Sequence, residues 1–120
     1  TFDYGDRYPR NDFSTRVYEK HKVYPIFEEN LDLEKLYKKS DITYDVHFNY
    51  LKDLFENNKV KSVKFDTQLK ALVDFGILDL LEILRANVDE DTYLNETQKV
   101  KMLLEPMGMG ERFKVLNVQK

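Results

Sequence analysis

The 120-residue sequence contains no cysteine. That excludes a disulfide scaffold, a thiolate metal site and a cysteine nucleophile, and it suits a reducing compartment. Histidine is scarce too: His21 and His47 are the two in the chain, and they do not stand at metal-ligand spacing. There are four glycines. Gly108-x-Gly110 lacks the longer glycine spacing and the following Lys-Ser/Thr of a phosphate loop, and it precedes a strand pattern, so it reads as a turn. Apolar runs are only a few residues long, too short to cross a bilayer, and no signal or transit pattern is visible in these residues. Basic residues are not in excess: 19 Lys and Arg stand against 22 Asp and Glu, a net charge of −3. No general basic field draws the chain to nucleic acid or to an acidic membrane. No nucleophile-elbow pattern supports a Ser-His-Asp site. Asp89 and Asp91 begin like a calcium loop, but Leu94 and Val100 occupy the places that need glycine and glutamate.

What is present is a globular composition, 42% apolar and 34% charged, in a chain long enough for one core. Thr1 to Asp6 reads as the end of a buried strand, within which Gly5 would let the backbone turn sharply. Asp6 to Asn11, with Pro9, reads as a loop. Ser14 to Ile26, rich in β-branched and aromatic residues, predicts one short irregular strand. Leu31, Leu33 and Leu36 predict one or two helical turns. Asp41-Ile42-Thr43 reads as a helix start, followed by a stripe of Val46, Tyr50, Leu51, Leu54 and Phe55 that stops at Asn57-Asn58.

Val60 to Phe65 alternates as a strand does. Asp66 or Thr67 then caps a helix that carries Leu69, Leu72 and Val73 and ends at Gly76. Ile77, Leu80, Leu81 and Leu84 predict a second helix. Asn87 to Leu94 reads as an acidic loop, with Asn95 and Gln98 as a capping box. Val100, Leu103, Leu104 and Met107 form the next stripe, which Pro106 ends near Glu105. Met107 to Glu111 reads as a turn and Phe113 to Val118 as the last strand.

Asp3-Tyr4-Gly5 carries the most chemistry. In an open α/β sheet, ligands bind beyond the carboxyl ends of the strands, so a carboxylate just past a strand end faces a substrate. Further pieces follow in order: Arg16-Val17-Tyr18-Glu19-Lys20-His21; Asp41-Ile42-Thr43 with Val46 and Phe48; Thr67-Gln68 with Gly76-Ile77; Pro106-x-Gly108; and Phe113-Lys114-Val115-Leu116. Together they resemble the C-terminal half of the MidA family (DUF185) of SAM-dependent methyltransferases, which includes a mitochondrial enzyme that methylates an arginine of a complex I subunit. The sequence departs from the family pattern in three places. Phe13-Ser14-Thr15 replaces a Gly-Thr-Leu, Asp45 and His47 stand in exchanged order, and Lys38-Lys39-Ser40 lacks a glycine.

The resemblance implies an α/β fold: the C-terminal part, residues 1–120, of a class I, Rossmann-like methyltransferase sheet. Thr1 to Tyr4 would end its fifth strand. Val60 to Phe65 and Phe113 to Val118 would be its sixth and seventh, the last antiparallel to its neighbours, with a helical insertion between them. S-adenosylmethionine would be held by an N-terminal half outside these residues, so the chain alone would bind none and be inactive. The resemblance implies catalytic roles for Asp3, Tyr4 and His21, and substrate contacts for Arg16, Asp41, Thr43 and His47. The substrate would be a protein arginine, in a respiratory complex I subunit or similar, in a bacterial cytoplasm or a mitochondrial matrix. A strand without its parallel neighbours leaves an open edge, which implies a homodimer. The competing reading is a non-catalytic helical interaction module using the apolar faces between Leu69 and Leu104.

Overall fold

The computed structural model describes residues 1–8 and 13–120. The elements run β1 (Phe2–Asp6), β2 (Arg16–Glu19), β3 (Lys22–Pro25), α1 (Leu33–Leu36), β4 (Asp41–Thr43), β5 (Val46–His47), α2 (Phe48–Asn57), β6 (Ser62–Thr67), α3 (Gln68–Asp74), α4 (Ile77–Asn87), α5 (Glu90–Leu104), α6 (Met109–Arg112) and β7 (Phe113–Gln119). The main sheet has the order β5-β1-β7-β6. β5 runs parallel to β1, and β7 runs antiparallel to both β1 and β6. Helices α3, α4 and α5 form the insertion between β6 and β7, as the resemblance implies. A second sheet, β3-β2-β4, is antiparallel throughout.

Several elements follow directly from local chemistry. β6 and β7 pair Val63 with Val118 and Phe65 with Leu116, so their alternating residues share faces. The Thr67 hydroxyl accepts the Lys70 N–H at 3.3 Å and opens α3. α5 ends at Leu104, just before Pro106, because proline's ring excludes the helical approach to it. Gln68 is buried, and its side-chain amide donates to the Leu103 carbonyl at 2.9 Å. That bond ties the start of α3 to the end of α5.

Four sequence expectations are corrected. Residues 14–26 form a hairpin rather than one strand: Lys20 and His21 sit at φ 47° and 68°, between the paired Glu19 and Lys22. Two left-handed residues are what a tight two-residue hairpin turn requires. Asp41–Thr43 is a strand paired with β2, and the helix starts later, at Phe48. The acidic segment is mostly helix, because Asp89, not Asn95, is the cap. Its carboxylate accepts the Thr92 N–H at 2.9 Å and the Thr92 hydroxyl at 2.7 Å. Met107 to Glu111 is a turn only as far as Gly108; from Met109 the chain enters the short helix α6, where Gly110 is buried. A side chain on Gly110 would run into the Leu104 carbonyl. The expected loop around Pro9 lies partly outside the described residues, and Asp6 itself belongs to β1.

The Thr92 N–H and hydroxyl hold the Asp89 carboxyl below its ordinary 3.8. A depressed folded value means this cap contributes fully above the unfolded value and fades as pH falls through the folded one. Circular dichroism between pH 6 and pH 2 is expected to show the start of α5 fraying only below about pH 4. Asp89→Asn keeps an accepting oxygen and removes that pH dependence.

The buried core is small: Val17, Phe48, Ala71, Val115 and Leu116. The accessible surface is 9607 Å², against about 6,800 Å² for a compact monomer of this mass. The radius of gyration is 18.5 Å, where roughly 13–14 Å is usual for this length. Large apolar side chains such as Leu80 and Ile83 on α4 and Met102 on α5 are therefore exposed.

Candidate functional site

The site forms where the two sheets meet. β1 does not turn at Gly5; it continues through Asp6 and pairs Gly5 with Val46 and Asp6 with His47. Gly5 serves close approach here, since a Cβ would collide with the Val46 backbone carbonyl and sit 2.7 Å from its nitrogen. Along a strand, alternate residues face opposite ways. Tyr4 and Asp6 thus share one face, and Asp3 lies on the other.

The second sheet adds an arginine. β2 and β4 pair Arg16 with Thr43, and the chain leaving β4 places Asp45 within reach. The Arg16 guanidinium donates to the Asp45 carboxylate. Both side chains are mostly enclosed, at 22% and 14% exposed, so the pair is screened less than a surface one. The same guanidinium lies over the Tyr4 ring, 5.6 Å from its centroid, at cation–π distance. Tyr4 is braced from another side by Phe113, edge-on at 5.9 Å. The Asp45 N–H donates to the Ser14 hydroxyl at 3.2 Å. Arg16 Nε and Thr43 Oγ1 are buried without a hydrogen-bond partner among the described residues.

Beside this cluster lies a cleft of about 490 Å³. Tyr4, Gly5, Asp6 and Asp45 form one wall, and Pro106, Met107, Glu111, Arg112 and Lys114 form the other. It sits at the carboxyl end of β1, the place where open α/β sheets bind ligands. Three carboxylates, two cations and one aromatic ring give it the chemistry to hold a planar cation by ion pairing and stacking. Among the described residues no group of His, Asp or Glu is placed to hold a metal ion, and no helix is long and apolar enough to cross a membrane.

Of the residues singled out by sequence, Tyr4, Arg16 and Thr43 are brought together here. Asp3 is exposed on the opposite face of β1, and its carboxylate accepts the Tyr4 N–H at 2.8 Å. His21 occupies the exposed hairpin turn. Asp41 pairs with Tyr18, roughly 7 Å along β4 from the Thr43 end, and is exposed. His47 is paired beside Asp6, but its exposed ring stacks on Tyr50 at 6.4 Å. Asp6, Asp45, Glu111, Arg112 and Lys114 line the cleft without having been candidates. Asp45 carries the one readable signal, its place two residues after Thr43.

No protein-family profile matches the chain, and no curated protein matches it. Solved structures do. An uncharacterised COG1565 superfamily protein of Burkholderia thailandensis is 22% identical, with a TM-score of 0.74 over 99% of this chain and 32% of that one. A COG1565 superfamily member of the same organism, put forward as a methyl transferase and solved with S-adenosyl-homocysteine bound, is 23% identical. Its TM-score is 0.75 over 99% of this chain and 30% of that one. The chain spans about a third of the length of these proteins. It therefore has, over nearly all its residues, the mixed α/β fold of a part of the COG1565 superfamily structures.

Proposed function

We propose that this chain is the acceptor-side, C-terminal part of a SAM-dependent methyltransferase of the MidA family, acting on an arginine of a protein. The observation that carries the reading is the cleft at the carboxyl end of β1, in a fold shared with a protein that binds S-adenosyl-homocysteine. Two further features support a larger assembly. The edge of β1 from Phe2 to Tyr4 that faces away from β7 has no strand partner among the described residues. The excess of exposed apolar surface also has the character of a face that other structure covers.

The residues present do not fit the methyl donor. A donor site of this class needs a glycine-rich strand–loop–helix. Here Gly5 packs against Val46 and Gly110 against Leu104, and no such loop occurs in the sequence. The donor is held by residues outside these 120, and the chain alone is inactive. Its own residues act on the acceptor. The guanidinium is planar, always charged in water, and pairs two-pronged with a carboxylate. Asp6, Asp45 and Glu111 are the groups that orient it, and one of them receives the proton that the acceptor nitrogen gives up. The Tyr4 ring offers the stacking face. Asp3, His21 and Asp41 stand away from the cleft.

The partner in this reading is a protein, such as a respiratory complex subunit, met in a bacterial cytoplasm or a mitochondrial matrix. The open β1 edge and the exposed helix faces also favour self-association of the 120-residue chain as a two-fold dimer. Light scattering that returned a monodisperse monomer would remove that part. The function itself is tested by incubating the longer polypeptide with methyl-labelled SAM and a lysate of its host. Label recovered on arginine after hydrolysis is the expected outcome; label on lysine or glutamine instead contradicts it.

A further inference from the structure

We infer that the Tyr4–Asp45 corner of the cleft is a guanidinium-binding subsite, and that the chain's own Arg16 fills it. The Arg16 guanidinium makes both contacts that an incoming arginine needs: a charge-assisted bond to the Asp45 carboxylate and a seat over the Tyr4 ring at 5.6 Å. Both partners line the cleft, so the subsite opens to the place from which a ligand arrives. Phe113 supports the ring from another side, and the Ser14 hydroxyl holds the Asp45 backbone. The Tyr4 ring and the Asp45 backbone are thus held by contacts other than Arg16.

The Arg16 side chain is the less well satisfied member. Its Nε is buried with no partner, beside a Thr43 hydroxyl in the same condition. A buried donor without an acceptor carries a desolvation cost. Arg16 therefore holds the subsite as an occupant that can be exchanged. An arginine side chain from a partner protein takes its place on Tyr4 and Asp45, and Arg16 swings toward solvent or toward the other cleft carboxylates. The contact acts as a built-in pseudo-substrate. Arg16 is one partner of the Asp45 carboxylate, an arginine competes with it there, and groups that cannot both stack and pair are selected against. Lysine, a compact point charge without a planar face, is such a group.

This inference deepens the proposed acceptor role and rests on it for the meaning of the cleft, but its test does not use methyl transfer. Methylguanidinium is titrated into the unaltered chain and into Arg16→Met, which keeps an apolar stem. Binding is followed by amide shifts of Tyr4 and Asp45 and by melting temperature. Arg16→Met is expected to bind about tenfold more tightly than the unaltered chain, with methylammonium giving no such gain. Asp45→Asn added to Arg16→Met is expected to abolish the gain. Equal affinity in both proteins overturns the inference. So does a gain that survives Asp45→Asn. If Arg16→Met fails to fold while the charge-swapped pair Arg16→Asp with Asp45→Arg folds normally, the contact is a structural clasp and the inference also falls. Methyl transfer that persists without guanidinium capture would contradict this subsite alone. Capture without transfer would contradict the proposed reaction alone.

Discussion

Phe48→Ala is expected to lower stability by about 3–5 kcal/mol, the usual cost of emptying a buried phenylalanine site. Phe48 is 0% exposed and is one of the two largest fully buried side chains. It is the first residue of α2, and its ring meets Phe65 of β6 at 5.2 Å. One side chain thus packs the helix onto the sheet directly after β5. Domains of ordinary stability have only about 5–15 kcal/mol to lose, and this one has a small core. The melting temperature is expected to fall by roughly 10–20 °C. Tyr50, two residues along the same helix, is 60% exposed, and Tyr50→Ala is expected to change stability by less than about 1 kcal/mol. Equal effects at the two positions would mean that α2 presents a different face to β6.

If the proposed methyltransferase reading holds, Asp45→Asn in the longer polypeptide is expected to reduce methyl transfer about a hundredfold, at the lower end of what a positioned acid–base group contributes. The amide keeps the shape of the carboxylate and removes its charge. It can no longer neutralise a guanidinium or receive its proton, so KM for the acceptor is expected to rise as well as kcat to fall. Arg16→Met has the opposite sign for the acceptor: removing the resident cation is expected to lower KM. Thermal melts of both variants separate these effects from unfolding. If Asp45→Asn left the rate unchanged, the acceptor would lie elsewhere in the cleft, nearer Glu111 and Lys114.

The parts legible in the sequence are those set by local rules. The strands β6 and β7 announce themselves by alternation. Thr67 caps α3 with its own hydroxyl, and α4 carries an unbroken helical stripe ahead of Pro106-terminated α5. The failures share a cause. Asp41-Ile42-Thr43 has the side chains of a helix cap, but its backbone pairs with β2, 25 or so residues earlier, and no local signal reports that pairing. The α2 stripe was misplaced because Val46 belongs to β5. Counting from Phe48, the covered side of the helix is buried Phe48 and half-buried Leu51, while Tyr50, Leu54 and Phe55 are exposed. The hairpin at Lys20-His21 lacks the glycine or asparagine that marks such turns.

The site was half legible for the same reason. Asp3-Tyr4-Gly5 pointed to the end of β1, but strand alternation places Tyr4 and Asp6 together and turns Asp3 away. Arg16 and Asp45 are 29 residues apart, and only the β2–β4 register brings them into contact. The wall formed by Glu111, Arg112 and Lys114 depends on α6, which a Gly-x-Gly turn does not suggest. Gly110 is there for its lack of a side chain against Leu104.

The central claim is that these residues form the acceptor side of a methyltransferase whose donor site lies outside them. Calorimetric titration with S-adenosyl-homocysteine, run in parallel on the 120-residue chain and on the longer polypeptide that carries it, tests this most directly. Saturable binding by the longer polypeptide and no binding heat from the chain alone is the expected result. Tight one-to-one binding by residues 1–120, or none by the longer polypeptide, would contradict the account.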